Sequence, residues 1–399
     1  MDMGIKRANT LSRIFICDPV CVQSIGHNVR ALTHYRRLLD DHADEVICLA
    51  SRYLDANIAR QDSLQQFFEF YYNEFIRVLP TSQDPVGISD THKKRSALAA
   101  QDIARLFNDY SLTSSDILFF PSTDFYSLVG LETCKNLFQR PDSPKLLLRF
   151  IGVMESASSA FRKPIDVALM YIRSIKDAGC KVSLSAETPV YADWLAEQLD
   201  QYVSVTPYGE VRDPIPLRTG KAFHVICPGS ARFDKGFLRL EEIFSKIRIR
   251  DPDIKITFST QSLVDTEVVH HQTYITKIYA IPGVNILPSM LDNETMDELY
   301  ASSDIMLLPY DTEIYKYRGS AVLMESATIG RPVVATDNVG FSEQIRYYGM
   351  GSLCKDNDEM VSNIITYSTI PREVRWRRSL QARSRFVADM RGAFKDWVG

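Results

Sequence analysis

The chain has 399 residues, 45% hydrophobic and 24% charged, with a formal net charge of −4. That length exceeds what one hydrophobic core usually serves, so about two globular domains are predicted, and the acidic balance excludes a nucleic-acid binder held by a general basic field. Seven cysteines scattered from Cys17 to Cys354 form no disulfide framework, and the close pair Cys17 and Cys21 lacks the second pair a zinc site needs; reduced thiols, no metal and a cytoplasmic location are the expectation.

In chain order, short β-rich runs alternate with longer helical patterns. "RIFICDP" (Arg13–Pro19) predicts a buried strand, followed by a loop with Gly26 and His27 and a helix through "NVRALTHYRRLL", where Val29, Leu32 and Tyr35 fall at helical spacing. "EVICLAS" returns as a strand, completing a βαβ unit with a parallel, right-handed crossover. Helices are expected over residues 64–79 and 92–108, then strands at "DILFFPS", "KLLLRFIGV", "KVSLSAE" and "YVSVTP" with helices between them. Residues 207–219 hold Pro207, Gly209, Pro214 and Pro216 and predict a linker, because proline and glycine stop both periodic structures.

A second series follows. "FHVICPG" predicts a strand, "SARFDKG" a turn, "LRLEEIFSKIRI" a helix and "DIKITFST" a strand, with a helix over 263–279. "VNILPS" reads as a short strand, "NETMDELYASS" as a helix whose Met296, Leu299 and Tyr300 share a face, and "DIMLLPY" as a buried strand. "AVLMESATI" then predicts a helix and "PVVAT" a strand. The count predicts two doubly wound α/β domains. From Pro371 onward the chain is helical and carries Arg372, Arg375, Arg377, Arg378, Arg383 and Arg385, either a solvated face or a patch for an anionic surface.

In such sheets ligands bind beyond the carboxyl ends of the strands, where helix N-termini offer free N–H groups to anions. Three segments of the second series stand there. In the first, Gly229 allows close approach while Arg232 and Lys235 are cations in the turn. In the second, Gly319 and Ser320 open a helix that carries Glu325, a carboxylate able to accept from a pair of hydroxyls. In the third, Gly340 supplies a turn and Glu343 lies at the next helix start, where an acid also suits the helix dipole.

Taken in order, "G-x-x-R-x-D-K-G … S-S-D-I-x-L-L-P … M-E-S-A-x-x-G-x-P-V-V-A-T … G-F-S-E-Q-I … G-x-G" resembles the donor domain of retaining glycosyltransferases of the GT-B fold, particularly glycosyltransferase family 4. The resemblance is specific over residues 223–351. It implies two Rossmann-like domains facing across a cleft: residues 1–212 for the acceptor, 213–370 for the nucleotide sugar, and a helical segment 371–399 packing back on the first domain. It further implies a retaining, hexosyltransferase-type enzyme of glycan, polysaccharide or glycolipid biosynthesis. Such an enzyme takes a nucleotide diphosphate sugar and a glycan or lipid-linked acceptor, needs no cofactor or metal, and touches the inner face of the membrane peripherally.

Carried over residue by residue, the resemblance makes Lys235, Arg232 and Tyr317 catalytic. Gly229, Ser230, Arg318, Gly319, Ser320, Glu325, Gly340 and Glu343 would bind the donor, and Gly26 and His27 would face the acceptor. The chain departs from the family twice. Ser230 stands where the family arginine follows the glycine, and Tyr317 stands at the first position of a glutamate pair with seven residues between its members. Tyrosine can hydrogen-bond a sugar but supplies no carboxylate, which keeps open a catalytically inactive GT-B module that binds a glycan or partner enzyme. A nucleotide-sugar epimerase or a phosphorylase of the same fold is the other alternative, though no lysine stands out to hold the pyridoxal phosphate a phosphorylase needs.

Overall fold

The protein is described from a computed structural model covering residues 12–22, 28–69, 90–152, 154, 164–216, 222–229, 231–263 and 265–399. The chain divides into two compact units: Met1–Ala186 with Ala192–Thr206 and Ala393–Gly399, and Glu187–Tyr191 with Pro207–Gly392.

The first unit is built on seven parallel strands: β1 (Arg13–Asp18), β2 (Glu45–Ser51), β3 (Gln65–Phe68), β4 (Asp116–Phe120), β5 (Lys145–Phe150), β6 (Val182–Ala186) and β7 (Ser204–Val205). Their spatial order is β3-β2-β1-β4-β5-β6-β7. Ile14, Phe15 and Ile16 of β1 are wholly buried, as a parallel sheet covered on both faces requires. β3 corrects the helix expected over 64–79: Leu49 pairs with Gln65 in parallel, and Phe67 and Phe68 are both buried. Neighbouring residues of a strand point to opposite faces, so a strand covered on both sides buries two adjacent phenylalanines. A short apolar run does not distinguish that from one turn of helix. The helix found just before it, Ala56–Gln61, is capped by Asp55, whose side chain accepts from the N–H groups of Asn57 and Ile58. Residues 70–79 lie outside the described part.

The second unit holds β8 (Phe223–Cys227), β9 (Ile256–Gln261), β10 (Val284–Leu287), β11 (Ile305–Leu308), β12 (Val333–Thr336) and β13 (Gly351–Cys354), all parallel, in the order β10-β9-β8-β11-β12-β13. Its core joins Leu240, Phe244, Ile247 and Phe258 with Leu307 and Ile364; the rings of Phe244 and Phe258 stack at 4.2 Å. The strand order reverses between β8 and β11, which makes the ends of these two strands the topological switch point, where ligands of doubly wound sheets bind.

The proline-rich segment, described as far as Pro216, is held by hydrogen bonds. Ile215 N–H donates to the Ile329 carbonyl at 3.1 Å, and the buried Arg331 guanidinium donates to the carbonyls of Ile215 and Pro216. The last helix, Arg372–Val398, belongs to the second unit up to Gly392 and to the first from Ala393. Within the first unit, Phe394 lies 5.7 Å from Tyr35 and Trp397 5.5 Å from Phe119, ring to ring. Several arginines of this helix are structural: Arg375 pairs with buried Asp304, Arg383 donates to the carbonyls of Thr328 and Arg212, and Arg385 donates to that of Tyr348. Arg377 and Arg378 are exposed. Among the described residues no helix is long and apolar enough to cross a membrane.

Candidate functional site

β8 ends at Cys227, and the chain turns at Gly229, whose φ of +87° is open to glycine at little cost. A Cβ there would come within 2.8 Å of Lys235 Nζ, so the bare glycine lets the ammonium lie close against the turn. Burial, and then the charge of Arg232, pull the Lys235 pKa down to about 8, against the opposing pull of Cys227, Asp234 and Glu325. Burial and a neighbouring cation thus both disfavour the charge of this ammonium. Arg232 Nη2 donates to Tyr315 Oη at 2.9 Å and lies 3.0 Å from Asp234 Oδ2; its side chain is half exposed. Ser230, the other residue named in this turn, lies outside the described residues.

The loop after β11 is tied to the loop after β8. Asp311 N–H donates to the Asp234 carbonyl at 2.9 Å, and Arg318 Nη1 stands 3.7 Å from Asp234 Oδ2. One acid thus orients two guanidiniums. Tyr315 is buried, with its ring 4.5 Å from that of Tyr310 and the Arg318 guanidinium 5.7 Å from its own centroid. Ser320 ends the loop as the N-cap of the helix Ala321–Ile329, its hydroxyl accepting from Leu323 N–H at 3.2 Å. The cap leaves first-turn N–H groups of that helix directed at the switch point.

Glu325 lies on this helix and is partly buried. Tyr300, itself 2% exposed, donates its hydroxyl to Glu325 Oε2. Burial, then the Glu325 charge, hold the Tyr300 pKa far above its ordinary value, so the phenol remains a donor and orients the carboxylate. Tyr317 packs its ring 5.5 Å from that of Tyr191, and its carbonyl accepts from Thr188 Oγ1 at 3.0 Å.

Gly340 serves this loop directly: its N–H donates to the Tyr315 carbonyl at 2.7 Å, and a Cβ there would stand 2.9 Å from the Arg318 carbonyl oxygen. Glu343 is exposed in the first turn of the helix Ser342–Tyr348. Gly26 and His27 lie outside the described residues. Sequence reasoning did not single out Asp234, Tyr315 or Glu187 for this site, and read Tyr300 only as one residue of a helix face. The Glu187 carboxylate rests on the backbone of Gly319, two residues beyond Tyr317. Only the "DKG" turn and the tyrosine-rich "YKYRG" loop carry a local hint of any of them.

Two parallel doubly wound sheets in one chain are the GT-B fold. Residues 222–369, most of the second unit, match the family described as glycosyl transferases group 1. Among solved structures, a trehalose-6-phosphate synthase is similar at 11% identity, covering 97% of this chain and 98% of that one, with a TM-score of 0.67. A sucrose-phosphate synthase from Thermosynechococcus elongatus matches at 13% identity over 94% of each chain, TM-score 0.63. A glycosyltransferase from Rickettsia africae matches at 14% identity over 97% and 100% of the two chains, TM-score 0.60. At these identities the likeness is one of fold. No curated protein matches the sequence.

Proposed function

We propose that this chain moves a sugar from a nucleotide diphosphate sugar to an acceptor hydroxyl with retention of configuration, in the making of a glycan, polysaccharide or glycolipid. The observation that carries the reading is Lys235, a partly buried ammonium seated over Gly229 at the switch point of a domain of the glycosyltransferase class. A diphosphate would restore the solvation that this cation has lost, and as leaving group it would draw more on Lys235 as the glycosidic bond breaks. Arg232, beside it, shares that charge; Arg318, Gly319 and Ser320 flank the phosphates and sugar; Glu325 takes the ribose hydroxyls. With three cations gathered on two neighbouring loops, the protein itself supplies the positive charge the leaving group needs. Retention follows if the acceptor attacks from the face the diphosphate leaves.

The test is a thermal-shift panel of UDP-, GDP-, ADP- and dTDP-sugars, then NMR of the anomeric configuration of the product. A donor at 100 times its dissociation constant stabilises by about 2.7 kcal/mol. Release of free nucleoside diphosphate only when an acceptor is present supports transfer. Binding without turnover supports a binding module, and an inverted product removes the retaining assignment.

Two further results are expected. Glu325→Gln keeps an acceptor oxygen for the buried Tyr300 hydroxyl while removing the charge, so the fold survives and donor affinity falls about tenfold, the gap between a charged and a neutral hydrogen bond. Glu325→Ala should weaken the donor more but also lower the melting temperature, because it orphans Tyr300. Calorimetric titration of both variants separates these effects, and unchanged affinity in both would remove Glu325 from the ribose. Tyr317→Phe is expected to lower turnover several-fold with affinity for the bare nucleoside diphosphate intact, since its backbone and ring contacts stay. Wild-type turnover in that variant would leave the ring a packing element over Tyr191.

A further inference from the structure

Segment Glu187–Tyr191 directly follows β6 in sequence but packs with the second unit. Three contacts fix it there. Gln344 Nε2 donates to the Glu187 carbonyl at 2.9 Å, Thr188 Oγ1 donates to the Tyr317 carbonyl at 3.0 Å, and the Tyr191 ring lies 5.5 Å from that of Tyr317 at an interplanar angle of 33°. The result is a carboxylate set on a bare stretch of loop. A Cβ built on Gly319 would run into the Glu187 carboxylate and stand 2.7 Å from its Cγ. Gly319 is not among the glycines with positive φ, so its backbone does not require glycine; a side chain there would instead displace the Glu187 carboxylate from its place.

The charges around this loop are ordered. Arg232, Lys235 and Arg318 converge around Asp234. Glu187 adds a negative group at Gly319, one residue before the helix N-cap at Ser320. An ionised carboxylate only accepts hydrogen bonds; it repels a diphosphate and takes hydroxyl donors. We infer that Glu187 accepts from hydroxyls on the sugar half of a bound nucleotide sugar, and so sets which sugar the site takes while the cations hold the phosphates. The inference rests on the donor reading proposed above.

The test uses the full chain and calorimetric titration. UDP, GDP, ADP and dTDP are titrated into the wild type, followed by the glucose, galactose, mannose and N-acetylglucosamine conjugates of whichever binds. Glu187→Gln is expected to leave the Kd of the bare diphosphate within about twofold and to weaken the tightest conjugate about tenfold, the difference between a charged and a neutral acceptor. Should that variant melt below the titration temperature, Glu187→Asp carries the test, because the shorter carboxylate withdraws from Gly319 and the same selective loss follows. Equal losses for diphosphate and conjugate would make Glu187 a support of the loop and overturn the inference, as would no loss for any conjugate. A wild type that binds none of the four diphosphates removes the donor reading itself, and this inference with it, a result distinct from the other two.

Discussion

Replacing Lys235 with alanine is expected to lower turnover by a factor on the order of 10²–10³, as loss of a donor to a developing anion does, and to weaken donor binding by much less. The reason is where charge grows. In the donor reading proposed above, a ground-state diphosphate would already have Arg232 beside it, whereas the breaking glycosidic bond would add charge to the oxygen nearest the compact ammonium beside Gly229. Lys235→Arg should rescue only part of the loss, because the planar fork is larger and differently directed than a compact ammonium. The pH profile adds a second reading. With a pKa near 8 in the free protein, Lys235 loses its proton as pH rises through that value, so kcat/KM should fall there in the wild type and stay level in Lys235→Arg.

Stability should run the opposite way. The folded pKa lies below the ordinary lysine value of 10.5, so between about 8 and 10.5 the unfolded chain binds the proton that the folded chain has released. Folding stability therefore rises with pH across that window, and the charged lysine costs stability below it. Lys235→Met is accordingly expected to be more stable than wild type at pH 7 and nearly inactive. Saturating-donor rates and melting temperatures measured on the same preparations decide this. A variant with wild-type rate and wild-type stability would mean a lysine that merely tops a turn.

The second large effect is structural. Arg375→Ala is expected to cost about 3–5 kcal/mol of stability, the usual penalty for breaking a buried ion pair by removing one partner. Arg375 and Asp304 are 6% and 4% exposed, and Arg375 Nη2 donates to Asp304 Oδ1 at 2.8 Å. The same guanidinium donates to the Tyr367 carbonyl at 2.7 Å and lies 4.6 Å from the Phe223 ring centroid. Asp304 would keep His224 N–H at 3.0 Å and the more distant Arg372, at 3.8 Å, which places the expected loss toward the lower end of the range. Urea denaturation of the single variants and of Asp304→Leu with Arg375→Met gives the check. The double replacement should recover most of the loss, because an apolar pair of similar volume carries no desolvation penalty. A double variant no more stable than Arg375→Ala would show that the pair itself, rather than the orphaned charge, holds this helix.

Much of this was legible in the sequence because it is written locally. Buried β-branched and aromatic runs alternating with amphipathic helices demand parallel sheets with crossovers, whatever lies elsewhere in the chain. A glycine and two cations directly after a strand, and an acid within two turns of a capped helix start, are also neighbours in sequence. Lys235, Arg232, Ser320 and Glu325 are therefore recognisable as candidates from the residue order alone. What only the tertiary structure decided are meetings between distant segments. Thr188 and Tyr317, which bring Glu187 to Gly319, lie 129 residues apart. Tyr300 finds Glu325 across 25 residues, and Arg375 finds Asp304 across 71. Such partners leave no spacing in the chain, because burial selects them by the space and charge that packing leaves unfilled. The same cause turned Gln65–Phe68 into an edge strand: pairing with β2, not its own periodicity, set its backbone.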